Sequence, residues 1–383
     1  MQDVSLKKIQ RKISADGIQA TLAAGVETSC RKFLFTPLLR QLIRSRYVPT
    51  ASEADLVRDG SDYYRVEPID TNSSPRRRPF VVNAGEGRVL ATTGAGLNAA
   101  GAIIDETVSR PEEVTHKTAV TLWRHLYFDG PRLVYDIINR HTNAVDERAT
   151  HTGAVTPMIP RYRNYFHWTI ECLPRLRAIR AFEKKSGTDV SLLVPNDASG
   201  WMMESLALAG VDDDSIRPAD ATVYKTSDLV VPSFPEPTTD DCRWLRNAVV
   251  KNSSDVSIET GSNVYISRAN ATERRVLNED AVKDTLRGYG FRSYRLEELS
   301  VAEQAVLFND ADIVLGAHGA GLSNLIYCED AAVIELFGKK IKPNYAALAD
   351  TVGIEYESMN CTPSGVDLIV DTDSLAETVE AVQ

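Results

Sequence analysis

The run Ala311-Asp312-Ile313-Val314-Leu315-Gly316-Ala317-His318-Gly319-Ala320-Gly321-Leu322-Ser323-Asn324 is the stretch from which the fold is read. A short apolar strand runs straight into small residues, and a helix begins immediately after them. Glycines let a backbone approach a ligand closely, and a helix start presents N–H groups with a partial positive charge. Both favour a bound phosphate. His318 sits inside the turn, where an imidazole can donate to a phosphate oxygen and stabilise a departing diphosphate. The spacing is neither G-x-x-x-x-G-K-[ST] nor a clean G-x-G-x-x-G, and glycines alone also suit a plain tight turn.

Outward from this turn the text alternates strand and helix. Asn263–Ser267 reads as a strand, and Asn278 as a helix cap with Glu279 and Asp280 in the positive first turn. That helix ends near Gly288 and Gly290, and Phe291–Leu296 is the next strand. Ser300-Val301-Ala302-Glu303 spells a capping box for a helix through Asn309. After the glycine turn come a short helix over Leu322–Cys328, a strand over Val333–Phe337, a helix over Tyr345–Val352 and a strand over Ile354–Ser358. Ser374-Leu375-Ala376-Glu377 reads as a second capping box, opening a terminal helix. Repeated β–α alternation with short connections predicts a doubly wound parallel sheet covered on both faces.

Upstream the pattern is weaker. Short strands are expected at Phe80–Asn83, Arg88–Ala91, Arg132–Asp136, Ser191–Val194 and Leu229–Pro232, with a helix over Gly200–Ala209. Residues 70–79, with Arg76, Arg77 and Arg78, read as an exposed loop. Residues 232–242 carry three prolines and make the best interdomain linker.

The whole chain has 383 residues, more than one core usually holds, so two domains are expected. It is 43% hydrophobic and 25% charged, which excludes collagen, coiled coil and a wholly disordered chain. Five cysteines without a C-x-x-C pair argue against a disulfide framework or a thiolate zinc site, and point to a reducing compartment. No run approaches the ~18 apolar residues of a spanning helix, and the Met1-Gln2-Asp3-Val4-Ser5 start lacks the apolar core of a signal peptide. A cytoplasmic setting is therefore expected. The formal charge of −10 disfavours nucleic-acid binding through bulk charge. Residues 1–48 depart from that average, with nine Lys or Arg against three Asp or Glu. Their later half interleaves Phe33, Leu34, Phe35, Leu38, Leu39, Leu42 and Ile43 with cations. Such a stripe suits a helix lying on an anionic membrane surface, here the inner face of the cell membrane, or one packed on its own domain.

A second constellation is Arg161-Tyr162-Arg163-Asn164-Tyr165-Phe166-His167-Trp168-Thr169-Ile170-Glu171-Cys172-Leu173-Pro174-Arg175-Leu176. On a helix His167 and Glu171, four apart, share one face. The pair fits a general base with its orienter, and equally a structural hydrogen bond. Asn164 is placed to cap this helix, and Pro174 to kink or end it.

Both constellations resemble glycosyltransferase family 61, whose pattern is N-Y-x-H-W-x-x-E-x-L-P-R-L and then G-A-H-G-A-G-L-x-N-L followed by V-I-E-L. Here these stand as Asn164–Leu176, Gly316–Leu325 and Val333–Leu336. The stretch Val264-Tyr265-Ile266-Ser267-Arg268, with Arg274-Arg275 and Asn278-Glu279, resembles the family's I-S-R…R-R…N-E. The resemblance spans residues 150–355. It implies a GT-B fold, two Rossmann-like α/β domains with parallel sheets facing a cleft. The implied layout is a basic helical segment over 1–60, an acceptor-side domain over 61–240 and a nucleotide-sugar domain over 241–383.

The resemblance further implies an inverting transfer from a nucleotide diphosphate sugar to a glycan or lipid-linked glycan acceptor, with no cofactor and no obligatory metal. Asp212-Asp213-Asp214, the nearest Asp-x-Asp, reads as a solvated turn. Cations and helix-end N–H groups would then meet the diphosphate: Arg268 first, with His318, Gly319, Ala320, Gly321, Asn324 and either Arg274 or Arg275. Glu335 is a candidate for the ribose hydroxyls, or else simply a residue at a sheet end. Glu171 is the first choice of base and His167 the alternative or the orienter. Asn164, Arg163 and Trp168 are acceptor-side candidates, although an aromatic beside such a helix also suits the core. Two other readings stay open: a nicotinamide-dependent oxidoreductase using the glycine turn for a dinucleotide, and a non-catalytic glycan-binding relative.

Overall fold

The computed structural model describes residues 50–59, 61–68, 79–91, 93–107, 149–160, 162–221, 223–233, 237–259 and 261–383. The basic segment 1–48, the arginine-rich loop, the strand expected over 132–136 and Arg161 lie outside the described residues.

The C-terminal half holds the expected doubly wound sheet. Its strands are β1 (Asn263–Ile266), β2 (Phe291–Tyr294), β3 (Ile313–Ala317), β4 (Ala332–Phe337) and β5 (Glu355–Asn360). All pair in parallel, in the order β2-β1-β3-β4-β5. The three central strands are buried at every residue, which is why they read as apolar runs rather than alternating ones. Four helices cover the faces: α1 (Glu279–Arg287), α2 (Val301–Asn309), α3 (Asn344–Val352) and α4 (Thr372–Val382). The capping box at α2 forms as spelled, with Ser300 Oγ accepting from Glu303 N at 3.1 Å and Glu303 Oε2 accepting from Ser300 N at 2.7 Å.

Two helix starts differ from expectation. Asn278 precedes α1 but caps nothing with its side chain; it exchanges two hydrogen bonds with the backbone of Val370, pinning the C-terminal segment. The terminal helix opens earlier than Ser374, because Asp371 Oδ1 accepts from Ser374 N at 2.8 Å and is itself the cap.

The preceding half is mixed rather than a second doubly wound sheet. A three-stranded parallel sheet joins Val155–Pro157, Ser191–Pro195 and Ile216–Ala219, with helices Leu176–Ser186 and Gly200–Leu208 between them. Beside it, Val223–Thr226 pairs antiparallel with Gly87–Leu90 and parallel with Ala149–Thr152 in a six-stranded sheet. Phe80–Asn83 lies between Val230–Pro232 and Ser61–Arg65 in an antiparallel trio. The segment expected to link domains leads into a helix, Thr239–Asn252, capped by a Thr238–Asp241 capping box. This helix touches Leu176–Ser186 and Gly200–Leu208 on one side and α2 and α3 on the other. The largest apolar cluster consequently runs unbroken from Val66 and Trp168 through Leu245 to Ile266, Val314 and Leu348.

Cys172, Cys242, Cys328 and Cys361 are free thiols in this packing. Burial pushes Cys172 and Cys328 up to about 12 and Cys361 up to about 11.

Candidate active site

In a sheet of order 2-1-3-4-5 the chain winds outward in opposite directions from the β1/β3 pair, leaving a crevice at their carboxyl ends. A cavity of about 540 Å³ opens there. Ser267 and Arg268 follow β1 into it, Leu296 and Glu297 follow β2, and Gly319 and Gly321 follow β3. Tyr165 and Trp201 close it from the preceding half.

The glycines let their neighbours pack close. Gly319 has extended φ (−174°), which any residue adopts, but a Cβ there would overlap the Arg268 guanidinium. A Cβ on Gly321 would stand 2.8 Å from Leu296 Cδ1, and one on Gly316 would stand 3.0 Å from Ile266 Cβ. Backbone and guanidinium are thus in direct contact. The turn leads into a 3₁₀ helix, Ala320–Tyr327, whose first N–H groups have no intrahelical partner.

Arg268 is braced by two carbonyls, with Nη2 donating to Glu273 O at 3.0 Å and Nε to Arg274 O at 3.3 Å. Arg274 holds a left-handed backbone conformation (φ 62°), unusual outside glycine, and its buried Nε makes no hydrogen bond. Burial, together with the charge of Arg274, lowers the Arg268 pKa. The positive charge of Arg274 thus acts against that of Arg268, a repulsion that an anion relieves. Arg275 does not join them; its side chain and N–H bind Asp367, at 2.7 Å and 2.9 Å.

His318 is buried against Phe337 and Tyr345, with ring centroids at 5.6 and 5.3 Å. Its Nδ1 lies 2.5 Å from Glu335 Oε1, and Tyr356 donates to Glu335 Oε2 at 2.7 Å. Glu335 is completely buried with both oxygens engaged, so the ribose role expected from sequence is corrected: it orients His318. Tyr356 was invisible to sequence reasoning, since a tyrosine on an outer strand carries no motif.

Asn324 is also buried rather than ligand-facing. Tyr165 donates to its Oδ1 at 2.6 Å, its Nδ2 donates to Gln304 Oε1 at 2.7 Å, and Gln304 donates onward to the carbonyls of Leu296 and Leu299. This chain ties the segment carrying Tyr165 to the glycine-rich turn and to the β2 end of the cavity.

The second constellation forms a π-helix, His167–Cys172, followed by a 3₁₀ turn at Leu173–Arg175 where Pro174 removes a donor. Asn164 caps it as expected, Oδ1 accepting from His167 N at 3.1 Å. His167 Nδ1 and Glu171 Oε2 are 2.8 Å apart and half-buried, a close polar contact whose angles fall short of an aligned hydrogen bond. Phe166 packs on both His167 and Tyr345, at 5.2 and 5.7 Å between centroids, so an aromatic chain joins the His167–Glu171 pair to His318. Two acceptor-side candidates sit elsewhere: Trp168 is fully buried with Nε1 donating to Ser205 Oγ at 2.8 Å, and Arg163 is exposed and paired with Asp197.

Among the described residues no helix is long and apolar enough to cross a membrane, and no group of three or more His, Cys, Asp or Glu is arranged to hold a metal ion.

Comparison with known proteins coincides with this geometry. The sequence model of the family Glycosyltransferase 61 matches residues 165–334, from the π-helix segment to β4. The EGF domain-specific O-linked N-acetylglucosamine transferase of Mus musculus is 35% identical over 95 residues, 23% of this chain and 18% of that protein. Its Drosophila melanogaster counterpart is 32% identical over 98 residues, 24% and 19% of the two chains. The Beta-1,2-xylosyltransferase of Arabidopsis thaliana is 23% identical over 125 residues, 29% and 23% respectively. The chain thus spans about a fifth of the length of the curated relatives it matches. The stretch that matches the glycosyltransferase 61 model frames the cavity, and a dinucleotide-dependent oxidoreductase finds no support among these relatives.

Proposed function

We propose that this chain is an inverting glycosyltransferase of the GT-B type, moving a sugar from a nucleotide diphosphate sugar to a glycan or lipid-linked glycan acceptor. The observation that carries the reading is the Arg268 guanidinium lying against the glycine-rich turn at the β1/β3 crevice, within the stretch matching the glycosyltransferase family. A diphosphate placed there meets the Arg268 guanidinium and the free N–H groups of the 3₁₀ helix, with the charge of Arg274 adding to the positive field. These groups, rather than a bound cation, neutralise the leaving group in this reading.

Glu171 takes the proton of the acceptor hydroxyl while the hydroxyl oxygen attacks the anomeric carbon from the face opposite the diphosphate. The bond to the diphosphate oxygen breaks as the new glycosidic bond forms, and configuration inverts. His167, 2.8 Å from Glu171, orients that carboxylate. His318, held by Glu335, presents its other nitrogen to the departing diphosphate. The mixed α/β half supplies the acceptor side. A cytoplasmic site of action, with residues 1–48 lying on the inner face of the cell membrane, completes the proposal.

The test is a screen of nucleotide sugars for slow donor hydrolysis, read by released nucleoside diphosphate. At least one donor is expected to turn over in the parent chain and not in Arg268→Ala. A chain that hydrolyses none and binds none is the non-catalytic relative instead.

A further inference from the structure

With Glu335 sealed inside the sheet, the diol of a nucleotide needs another acceptor, and the cavity contains one carboxylate suited to it. Glu297 lies in the 3₁₀ turn Leu296–Glu298, immediately past the carboxyl end of β2. Its side chain is exposed on the cavity wall, where Leu296, Leu299 and Ile266 provide apolar lining and Trp201 an aromatic face. Asn270, past the end of β1, donates to Glu297 Oε1 at 3.2 Å, and Oε2 takes no hydrogen bond among the described residues. Glu297 is close enough for its charge to act on Arg268, so one cavity holds a cationic end and an anionic wall.

A simple anion site does not place a carboxylate beside its arginine, because the two negative groups repel. The arrangement suits a ligand with an anion at one end, a flat ring to lie on apolar and aromatic surface, and neutral hydroxyl donors between them. A ribonucleoside diphosphate has that order of groups. In the strand order β2-β1-β3 the loop with Glu297 leaves the sheet on the other side of β1 from the glycine-rich turn, so a ligand with its phosphates at that turn and at Arg268 extends toward Glu297.

The geometry points to Glu297 as the ribose-recognising residue of the donor site, accepting from the 2′- and 3′-hydroxyls and selecting ribonucleotides over 2′-deoxyribonucleotides. This rests on the proposed donor site and adds the identity of its sugar-binding wall. Asn270 is a positioning residue that holds the carboxylate toward the cavity.

The experiment is isothermal titration of the full chain and of Glu297→Ala with UDP, 2′-deoxy-UDP, GDP, 2′-deoxy-GDP and inorganic pyrophosphate. The parent is expected to bind the better of UDP and GDP about tenfold or more tightly than its 2′-deoxy counterpart, as loss of a hydrogen bond to a charged group predicts. Glu297→Ala is expected to erase that difference by weakening the ribonucleotide alone, and to bind pyrophosphate at least as well as the parent. Equal binding of ribo and deoxy forms by the parent overturns the inference and leaves the donor site standing. Equal weakening of pyrophosphate and ribonucleotide in Glu297→Ala also overturns it, since the carboxylate would then act only by holding Arg268. Failure of the parent to bind any of the five probes overturns the donor site itself, and this inference with it.

Discussion

Replacing Gly319 with alanine adds one methyl group, and the structure specifies where it goes. Extended φ (−174°) means alanine is accepted without backbone strain, so only space matters. The new Cβ would overlap Arg268 Nη1 and stand 2.9 Å from Cζ. The guanidinium is the far end of a flexible side chain and moves aside, giving up its bonds to Glu273 O and Arg274 O. Each such bond is worth about 0.5–1.5 kcal/mol net, so losing both lowers stability by roughly 1–3 kcal/mol. The loss in ligand binding is larger. A displaced Arg268 no longer reaches the diphosphate, and a charge-assisted hydrogen bond is worth about 1.5–3 kcal/mol, or about ten- to a hundredfold in affinity. Calorimetric titration with UDP or GDP, beside urea denaturation of the same protein, measures both quantities. Gly316→Ala is the control, because its Cβ would stand 3.0 Å from Ile266 Cβ inside the sheet and costs stability. A Gly319→Ala protein that binds the nucleotide as the parent does would refute the contact between turn and guanidinium as the basis of the site.

Glu171→Gln keeps size and most hydrogen bonding but cannot accept a proton, and transfer is expected to fall by ~10²–10⁴ while donor affinity holds. His167→Gln should reduce transfer less; a dead histidine variant beside an active glutamine variant at 171 would make His167 the base. Tyr165→Phe removes the hydrogen bond to Asn324 and should cost about 1 kcal/mol in a urea titration, more if Asn324 is left unsatisfied. Asp367 is held below the usual carboxylate range by Arg275. Its contribution is therefore present at neutral pH and lost as pH falls through that depressed value, so Asp367→Asn should destabilise at pH 7 and match the parent in strong acid. Cys172 and Cys328, with thiols pushed up to about 12, should resist iodoacetamide in the folded chain and label only on unfolding, as peptide mapping would show.

The doubly wound sheet was legible because its information is local. Ile313-Val314-Leu315 is apolar without alternation, Ser300 and Glu303 announce a helix, and Gly316–Gly321 marks the crevice. The cap read at Ser374 failed because the helix already begins at Thr372, where Asp371 Oδ1 accepts from Ser374 N and makes Ser374 an interior residue of the first turn. Asn278 misled for a different reason: its best partner, Val370, is 92 residues away. The mixed half was poorly legible since its ladders join distant segments, Val223–Thr226 with both Gly87–Leu90 and Ala149–Thr152. In the site, Arg268 and the turn were visible, while Glu297, Gln304 and Tyr356 were not. Each acts through partners brought near only by the fold, and Glu335, prominent in the motif, turned out to serve His318 from within the sheet.

The most direct measurement is a crystal structure of the chain with a nucleoside diphosphate bound. The account predicts the diphosphate within hydrogen-bonding distance of the Arg268 guanidinium and of the N–H groups following Gly319, with the ribose against the β2 side of the cavity. A diphosphate found away from the β1/β3 crevice, with Arg268 still bonded only to Glu273 and Arg274, would contradict it.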